Sequence, residues 1–276
     1  MEDSDLLLSF IREDAPFGDI TSDAVIDDTR CRARIVARED GVIAGLEEAE
    51  FLFCHYGVRV QFRAADGDDV RAGAVVIDLE GPARSILLVE RTALNIIGRM
   101  SGIATMTRRL VLLLGRTACG CRIAATRKTA PGLRKLDKKA VVIGGGDPHR
   151  LSLSDGILIK DNHLALVPLA EAVRAAKAVS CYRKVEVEVT TPEEAATAAD
   201  AGADIVLLDN MTPGEVEASL RLLGKKGAMG RVLVEVSGGI DEENLLSYAL
   251  PGVDLISAGM LTHSVKNFNV SLDIVD

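Results

Sequence analysis

The sequence predicts an α/β protein in two parts, an α+β domain followed by an incomplete (β/α) barrel. Three observations predict it. Between Cys31 and about Glu90, short alternating strands flank one apolar helix; from Arg122 onward, six short apolar runs alternate with helical patterns; and polar or glycine residues stand just after all six runs. An open doubly wound sheet usually gathers its ligand at one switch point, whereas a barrel presents every strand end at one mouth, so the barrel is favoured. About 150 residues are few for eight β/α units, and the barrel is therefore expected to be incomplete or atypical.

In the first part, Arg32–Arg38 and Val58–Phe62 alternate as strands, Leu46–Tyr56 reads as an apolar helix, and Asp66–Gly73 supplies turn glycines before a further strand at Val75–Leu79. Leu87–Gly115 has helical period through Leu87, Leu94, Ile97, Ser101 and Ala104, with a break expected at Ser101-Gly102. That break sets the expected boundary: an N-terminal domain over 1–101, with the tail 268–276 packing against it, and a barrel over 102–267. The barrel strands are Arg122–Thr126, Gly156–Ile159, Lys184–Glu188, Asp204–Leu208, Arg231–Val236 and Val253–Ser257. Helices at Pro168–Val179, Pro192–Ala201, Pro213–Leu223 and Glu242–Ala249 connect them; proline opens three, and Thr191 is placed as the N-cap of the second.

Composition narrows the function. Of 276 residues, 48% are hydrophobic and 26% charged, an ordinary globular mix. No apolar run approaches the ~18–20 residues of a membrane span, and the acidic start Met1-Glu-Asp-Ser-Asp-Leu lacks the basic region and cleavage site of a secretory signal, so a cytoplasmic location is expected. Lys+Arg is 32 and Asp+Glu 41, a net of 32 − 41 = −9, which leaves no global basic field for a nucleic acid. With 3% aromatics and no Trp there are few platforms for stacking bases or sugars. The five cysteines, among which only Cys119-Gly-Cys121 is a close pair, have no zinc spacing and are expected to be reduced structural thiols.

The strand ends carry the chemistry. They bear Thr126-Arg127-Lys128, Lys160-Asp161-Asn162-His163, Glu188, Asp209-Asn210, Ser237-Gly238-Gly239 and Ala258-Gly259-Met260. Arg127, Lys128 and Lys160, with His149 and Arg150 from the loop after Gly144-Gly-Gly146, gather cations in an acidic protein; such a cluster repels itself unless an anion balances it, so a dicarboxylate or phosphorylated substrate is expected. Glu188 and Asp209 could carry Mg²⁺ with substrate phosphates or stabilise an oxocarbenium-like state. Glu186 shares the face of Glu188 by the period of two and reads equally as a buried ion-pair partner or as a site residue. The glycines after the last two strands let backbone N–H groups approach a phosphate. Gly144-Gly145-Gly146 follows no strand and reads as a flexible turn rather than a dinucleotide fingerprint. No serine or cysteine has the surroundings of a nucleophile. His163 and His263 read as structural, the former orienting Lys160, and His55 as a core or interface residue.

Eight stretches in order resemble the quinolinate phosphoribosyltransferase family: Asp14-Ala-Pro-Phe-Gly-Asp-Ile-Thr-Ser22, Glu90-Arg-Thr-Ala-Leu-Asn95 with Ser101-Gly-Ile-Ala-Thr105, Thr126-Arg-Lys-Thr-Ala-Pro-Gly-Leu-Arg134, Gly144-Gly-Gly-Asp-Pro-His-Arg150, Ile159-Lys-Asp-Asn-His163, Leu208-Asp-Asn-Met211, Ser237-Gly-Gly239 and Leu261-Thr-His-Ser264. The resemblance implies an N-terminal α/β sandwich domain, an open and atypical α/β barrel, and a homodimer with shared active sites. It implies that quinolinate and phosphoribosyl pyrophosphate give nicotinate mononucleotide, pyrophosphate and CO₂. By motif position, Arg91 would reach in from the partner subunit, while Arg127, His149, Arg150 and Lys160 line the quinolinate carboxylates. Lys128 would lie between the substrates, with Thr126 beside it. Glu188 and Asp209 would hold the ribose hydroxyls and Mg²⁺, directly or through substrate, and Ser237, Gly238, Gly239, Ala258, Gly259 and Met260 would surround the phosphate. Two departures touch pocket shape: Ala125 stands where the family often has Asp, and Met260 where it usually has Ala. A related phosphoribosyltransferase-like protein of molybdenum loci, acting on another acid, is the alternative; Lys160-Asp-Asn-His163 argues against it. A non-catalytic anion-binding barrel is the third reading, and the presence of both Glu188 and Asp209 argues against that one.

Overall fold

The computed structural model describes residues 3–275 and forms two compact units. The first comprises the chain up to Arg108, Pro131–Gly145 and the segment from Val265 onward; the second comprises Arg109–Ala130 and Gly146–Ser264. The division differs from the one expected at 101/102 and 267/268.

The first unit begins with α1 (Asp3–Asp14) and α2 (Ile20–Val25); the Asp19 carboxylate caps α2 by accepting from Thr21 N and Ser22 N, both at 3.1 Å. Then follow β1 (Arg30–Ala37), β2 (Gly41–Val42), α3 (Leu46–His55), β3 (Arg59–Phe62), β4 (Asp69–Val70), β5 (Val75–Pro82) and the long α4 (Ala83–Leu114). An antiparallel sheet runs from the last strand of the chain, Val270–Val275, through β1 and β5 to β3. Ile35 stands opposite Leu272 on one side and Ile77 on the other. Period two sorts its faces: Ala33, Ile35 and Ala37 are fully buried, while Arg34 and Arg63 both pair with Asp78 in solvent.

The expected break in α4 is absent, and the helix runs unbroken through Ser101 and Gly102. Its hydroxyls satisfy loop backbone instead: Ala44 N donates to the buried Ser101 Oγ at 2.9 Å and Val42 N to the half-buried Thr105 Oγ1 at 2.9 Å. Gly102 serves close approach, since a Cβ there would lie 2.2 Å from the Lys266 carbonyl oxygen. Gly144, at the end of α5 (Arg134–Ile143), is likewise a packing glycine rather than a flexible turn, because a Cβ would meet Ala104 O at 2.6 Å. On α5 the fully buried Asp137 accepts from Arg99 Nε at 2.7 Å and Nη2 at 2.9 Å.

The second unit is a parallel sheet of β6 (Arg122–Ala124), β7 (Ile157–Ile159), β8 (Val185–Val189), β9 (Ile205–Asp209), β10 (Leu233–Ser237) and β11 (Leu255–Ser257). Its order, β6-β11-β10-β9-β8-β7, is a cyclic succession opened between its first two members. This is the incomplete barrel expected. Between the strands lie α6 (Asp161–Leu164), α7 (Leu169–Val179), α8 (Pro192–Ala201), α9 (Pro213–Lys225) and α10 (Leu245–Tyr248), with α11 (Met260–His263) after the last. Thr191 and Thr212 close α8 and α9 with capping boxes to Glu194 and Glu215, each with proline in the first turn. Alternation again sorts the faces. Val185, Val187, Val206, Leu208, Val234, Val236 and Ile256 are fully buried, while their neighbours Glu186, Glu188, Asp209, Glu235, Ser237 and Ser257 share the other face and make it polar.

Two smaller expectations are adjusted. Of the two readings of His55, core or interface, the core one is excluded, because the residue is exposed at the end of α3, where its ring meets Phe51 and Tyr56. Cys119 and Cys121 form a disulfide across a turn at Gly120 (φ 71°), with Cα atoms 5.4 Å apart, while Cys31, Cys54 and Cys181 are free. Among the described residues no helix is long and apolar enough to cross a membrane.

Candidate active site

Register builds the site. In parallel strands the C-terminal ends fall side by side, and Ala124, Ser257, Ser237 and Asp209 form one continuous row of partners. Ile159 stands opposite Val187, which places the next residue, Lys160, beside Glu188. Their side chains form an ion pair, with Glu188 13% exposed. His163 contributes as expected: its Nδ1 accepts from Lys160 N at 3.0 Å and fixes the turn from β7 into α6.

The loop after β6 is tied to the loop after β11. Thr262 Oγ1 donates to Lys128 O at 2.9 Å, Ala258 N donates to Ala124 O at 2.9 Å, and Lys128 N donates to Thr126 Oγ1 at 3.1 Å. A Cβ on Gly259 would lie 3.2 Å from Lys128 Cδ, so the glycine lets the lysine stem pass. Lys128 itself is exposed, and Met260 opens α11. Asp209 accepts from Asn210 Nδ2 at 2.6 Å, and Asn210 N donates to Ser237 O at 2.9 Å. The two glycines of Ser237-Gly238-Gly239 have different reasons. Gly238 (φ 104°) is required by packing, because a Cβ would lie 2.4 Å from Asn210 Oδ1; Gly239 (φ 59°) faces open space.

Arg127 and Arg150 are both half-buried. Arg127 Nε is buried and has no hydrogen-bond partner. Burial lowers the Arg150 pKa, and the nearby charge of Arg127 lowers it further. Two guanidiniums close enough to repel, one with a buried unpaired donor, make a place for an anion.

His149 lies on the polar face of the sheet in a left-handed conformation (φ 54°), its backbone N donating to Asp147 Oδ1 at 2.8 Å. Its Nε2 is 3.2 Å from Glu235 Oε2 and 3.6 Å from Glu186 Oε2, with side-chain exposures of 13%, 1% and 7% respectively for His149, Glu235 and Glu186. Burial opposes the charged ring, but the close Glu186 carboxylate and the hydrogen bond and charge of Glu235 outweigh it, and the pKa is pushed up to about 10. Burial, with the Glu235 charge, also pushes the Glu186 carboxyl up. The donor atoms of the three lie within 4.8 Å of one another, close enough for a divalent cation; the charges of His149 and Arg150 balance the two carboxylates without one.

A cavity of about 700 Å³ opens at the N-terminal ends of the same strands, where Arg122, Ile157, Lys184, Ile205, Leu233 and Leu255 line it. Of the expected site residues it reaches His149 and Arg150, with Glu186 beside them; Lys128, Lys160, Glu188 and Asp209 stand at the opposite ends of the strands. Arg91 is exposed on α4 of the first unit. In that unit Asp14, Thr92 and Asn95, from two of the stretches that carry the family resemblance, line one cavity of about 630 Å³. Sequence reasoning missed Glu235 and the buried, unpaired Ser257 Oγ. The alternation in Val234-Glu235-Val236 was the available signal for Glu235, the same signal that singled out Glu186.

An open α/β barrel with acids and bases at adjoining strand ends defines the class: an enzyme for small anionic substrates. The sequence pattern of the quinolinate phosphoribosyl transferase N-terminal domain matches residues 19–101, and that of the C-terminal domain matches residues 103–273. The chain is 48% identical over 273 residues to a probable nicotinate-nucleotide pyrophosphorylase (carboxylating) of Methanothermobacter thermautotrophicus, covering 98% of both chains. Against the Bacillus subtilis protein of the same description it is 41% identical over 273 residues, covering 98% of this chain and 92% of that one. The crystal structure of nicotinate-nucleotide pyrophosphorylase from Ehrlichia chaffeensis superposes with a TM-score of 0.93 at 32% identity, covering 100% of this chain and 99% of that one. The chain belongs to the quinolinate phosphoribosyl transferase family.

Proposed function

We propose that the strand-end residues perform the family's reaction as follows. The enzyme transfers the phosphoribosyl group of phosphoribosyl pyrophosphate to quinolinate with decarboxylation, giving nicotinate mononucleotide, pyrophosphate and CO₂ in NAD biosynthesis. Arg127, His149, Arg150 and Lys160 bind the two carboxylates of quinolinate. The observation that carries this is the mutual repulsion of Arg127 and Arg150 beside the unpaired Arg127 Nε, which a dicarboxylate would relieve. Thr126 and Lys128 lie between the two substrates, Lys128 free to follow charge from one to the other.

Glu188 and Asp209 hold the ribose hydroxyls. As the C1–O bond to pyrophosphate breaks, positive charge develops on the ribose, and these two carboxylates stabilise it. The pyridine nitrogen then bonds to C1. The carbon beside the now cationic ring nitrogen keeps the electron pair when its carboxylate departs as CO₂, the positive nitrogen stabilises that ylide, and a proton then bonds to the carbon through this pair. No nucleophile of the protein is needed; positioning and electrostatics suffice. Ser237, Gly238, Gly239, Ala258, Gly259 and Met260 surround the phosphate, with Gly239 open for close approach.

The donor chemistry fits Mg²⁺, since Glu188 and Asp209 offer hard carboxylate oxygens on adjacent strands. When bound, Mg²⁺ would neutralise charge on the diphosphate. The working form is a cytoplasmic homodimer in which Arg91 of each subunit completes the other's quinolinate site. The test is stoichiometry: with Mg²⁺, one pyrophosphate and one CO₂ per nicotinate mononucleotide from wild type, and a raised quinolinate KM in Arg127→Ala. Unequal release, or an Arg127→Ala variant with unchanged quinolinate KM, would refute the assignment.

A further inference from the structure

His149 makes two charged contacts, and both are to one ring atom. Nε2 faces Glu235 at 3.2 Å and Glu186 at 3.6 Å, while among the described residues Nδ1 has no hydrogen-bond partner. Glu235 is the more deeply buried acid, and its neighbours in the sheet, Leu207 and Leu255, offer no cation. A buried carboxylate with no lysine or arginine of its own is costly unless a proton donor meets it. The Nε2–H of His149 is that donor. A ring that donates from Nε2 to buried acids and is charged carries its second proton on Nδ1, the atom left without a partner.

We propose that Glu235, supported by Glu186, is a positioning residue for substrate recognition: it fixes His149 as an imidazolium whose Nδ1–H is reserved for a carboxylate of the substrate. The inference rests on the proposed reading of His149 as a quinolinate ligand. The charged groups facing the ring are Glu186 from β8 and Glu235 from β10; from its own loop Asp147 accepts from the backbone N of His149 and Arg150 acts on Glu186, while Arg127, from the loop after β6, acts on Arg150. The sign of the effect follows from the raised pKa. A free histidine keeps its charge only below about 6.5, whereas His149 keeps it through that range and loses it as the pH rises through about 10. The pocket would therefore retain its full cationic charge across neutral and mildly alkaline pH.

The test is the ring itself. The chain has four histidines, so imidazole ¹⁵N spectra can be assigned with His149→Asn as reference. Wild type at about pH 8 should show both nitrogens protonated, and Glu235→Gln should show a ring that titrates several-fold closer to an ordinary histidine. The quinolinate KM of Glu235→Gln should rise about tenfold at alkaline pH, the loss of one charge-assisted hydrogen bond, and recover toward wild type at about pH 6. The KM for phosphoribosyl pyrophosphate should stay constant. A wild-type ring that is neutral, or held by a metal ion, at about pH 8 overturns the proposal without any variant having to fold. A ring neutralised in Glu235→Gln with no change in quinolinate KM overturns it too, and returns His149 to a structural role. Wild type that shows the imidazolium but turns over no quinolinate would instead sink the substrate reading beneath it.

Discussion

Lys160 and Glu188 form an ion pair across adjacent parallel strands, and this pair joins the basic side of the proposed pocket to its acidic side. Each residue is satisfied by the other until substrates arrive, when a quinolinate carboxylate competes for the lysine and a ribose hydroxyl for the glutamate. The two variants should differ in kind. Lys160→Ala should raise the quinolinate KM by tenfold or more, on the order of one charged contact. Glu188→Gln should lower kcat with a smaller effect on either KM, because the charge it stabilises develops only at the transition state. Steady-state kinetics with each substrate varied separately distinguishes them; equal effects on both parameters in both variants would contradict the division of labour.

Arg91 is expected to act in the neighbouring subunit. At quinolinate well below the wild-type KM, Arg91→Ala and Lys160→Ala should each retain about a tenth or less of wild-type activity alone. Mixed under conditions where subunits exchange, they should regain about a quarter of wild-type activity, since half the dimers are hybrids and each hybrid has one intact site. Demonstrated exchange with no recovered activity would exclude the shared site.

Helical glycines on this chain should respond with opposite signs. Gly102→Ala, normally a gain of about 1 kcal/mol within a helix, should destabilise by roughly 1–3 kcal/mol because its methyl would meet the Lys266 carbonyl. Gly214→Ala in α9 has nothing within 4 Å and should be neutral or stabilising by up to about 1 kcal/mol. Urea denaturation of the two variants beside wild type measures the difference.

Asp137 is fully buried and takes two hydrogen bonds from Arg99. Asp137→Ala removes the acceptor and leaves a guanidinium that is 21% exposed; a loss of about 2–4 kcal/mol is expected, below the full cost of a wholly buried charge. Arg99→Ala should cost at least as much, because the carboxylate left behind is the deeper of the two. A double variant milder than the sum of the singles would confirm the coupling.

The parts of this molecule that were legible in its sequence are those written in short spacings. The six barrel strands appear as short apolar runs between helical patterns, and Thr191 and Thr212 announce their helices through a glutamate three positions on. Lys160 and Glu188 could be placed at strand ends for the same reason. What stayed hidden depends on distance along the chain. Glu235 meets a histidine 86 residues away, so the alternation around it places it on a strand face but does not name its partner. Gly102 reads as a helix break because the carbonyl that needs its missing side chain belongs to Lys266. Gly238, read as a phosphate contact, is also needed by Asn210, which a double glycine cannot reveal. The units divide at Arg108/Arg109, inside the unbroken α4, rather than at the break expected at Ser101-Gly102.

The central claim is that a cluster of cations selects an acid with two carboxylates. Its most direct measurement is nicotinate mononucleotide formation from phosphoribosyl pyrophosphate and Mg²⁺ with quinolinate and nicotinate offered separately at equal concentration. The account predicts product from quinolinate and none above background from nicotinate, since the second carboxylate is what balances Arg127 and Arg150. Comparable turnover of nicotinate, or product from neither acid on folded protein, would contradict it.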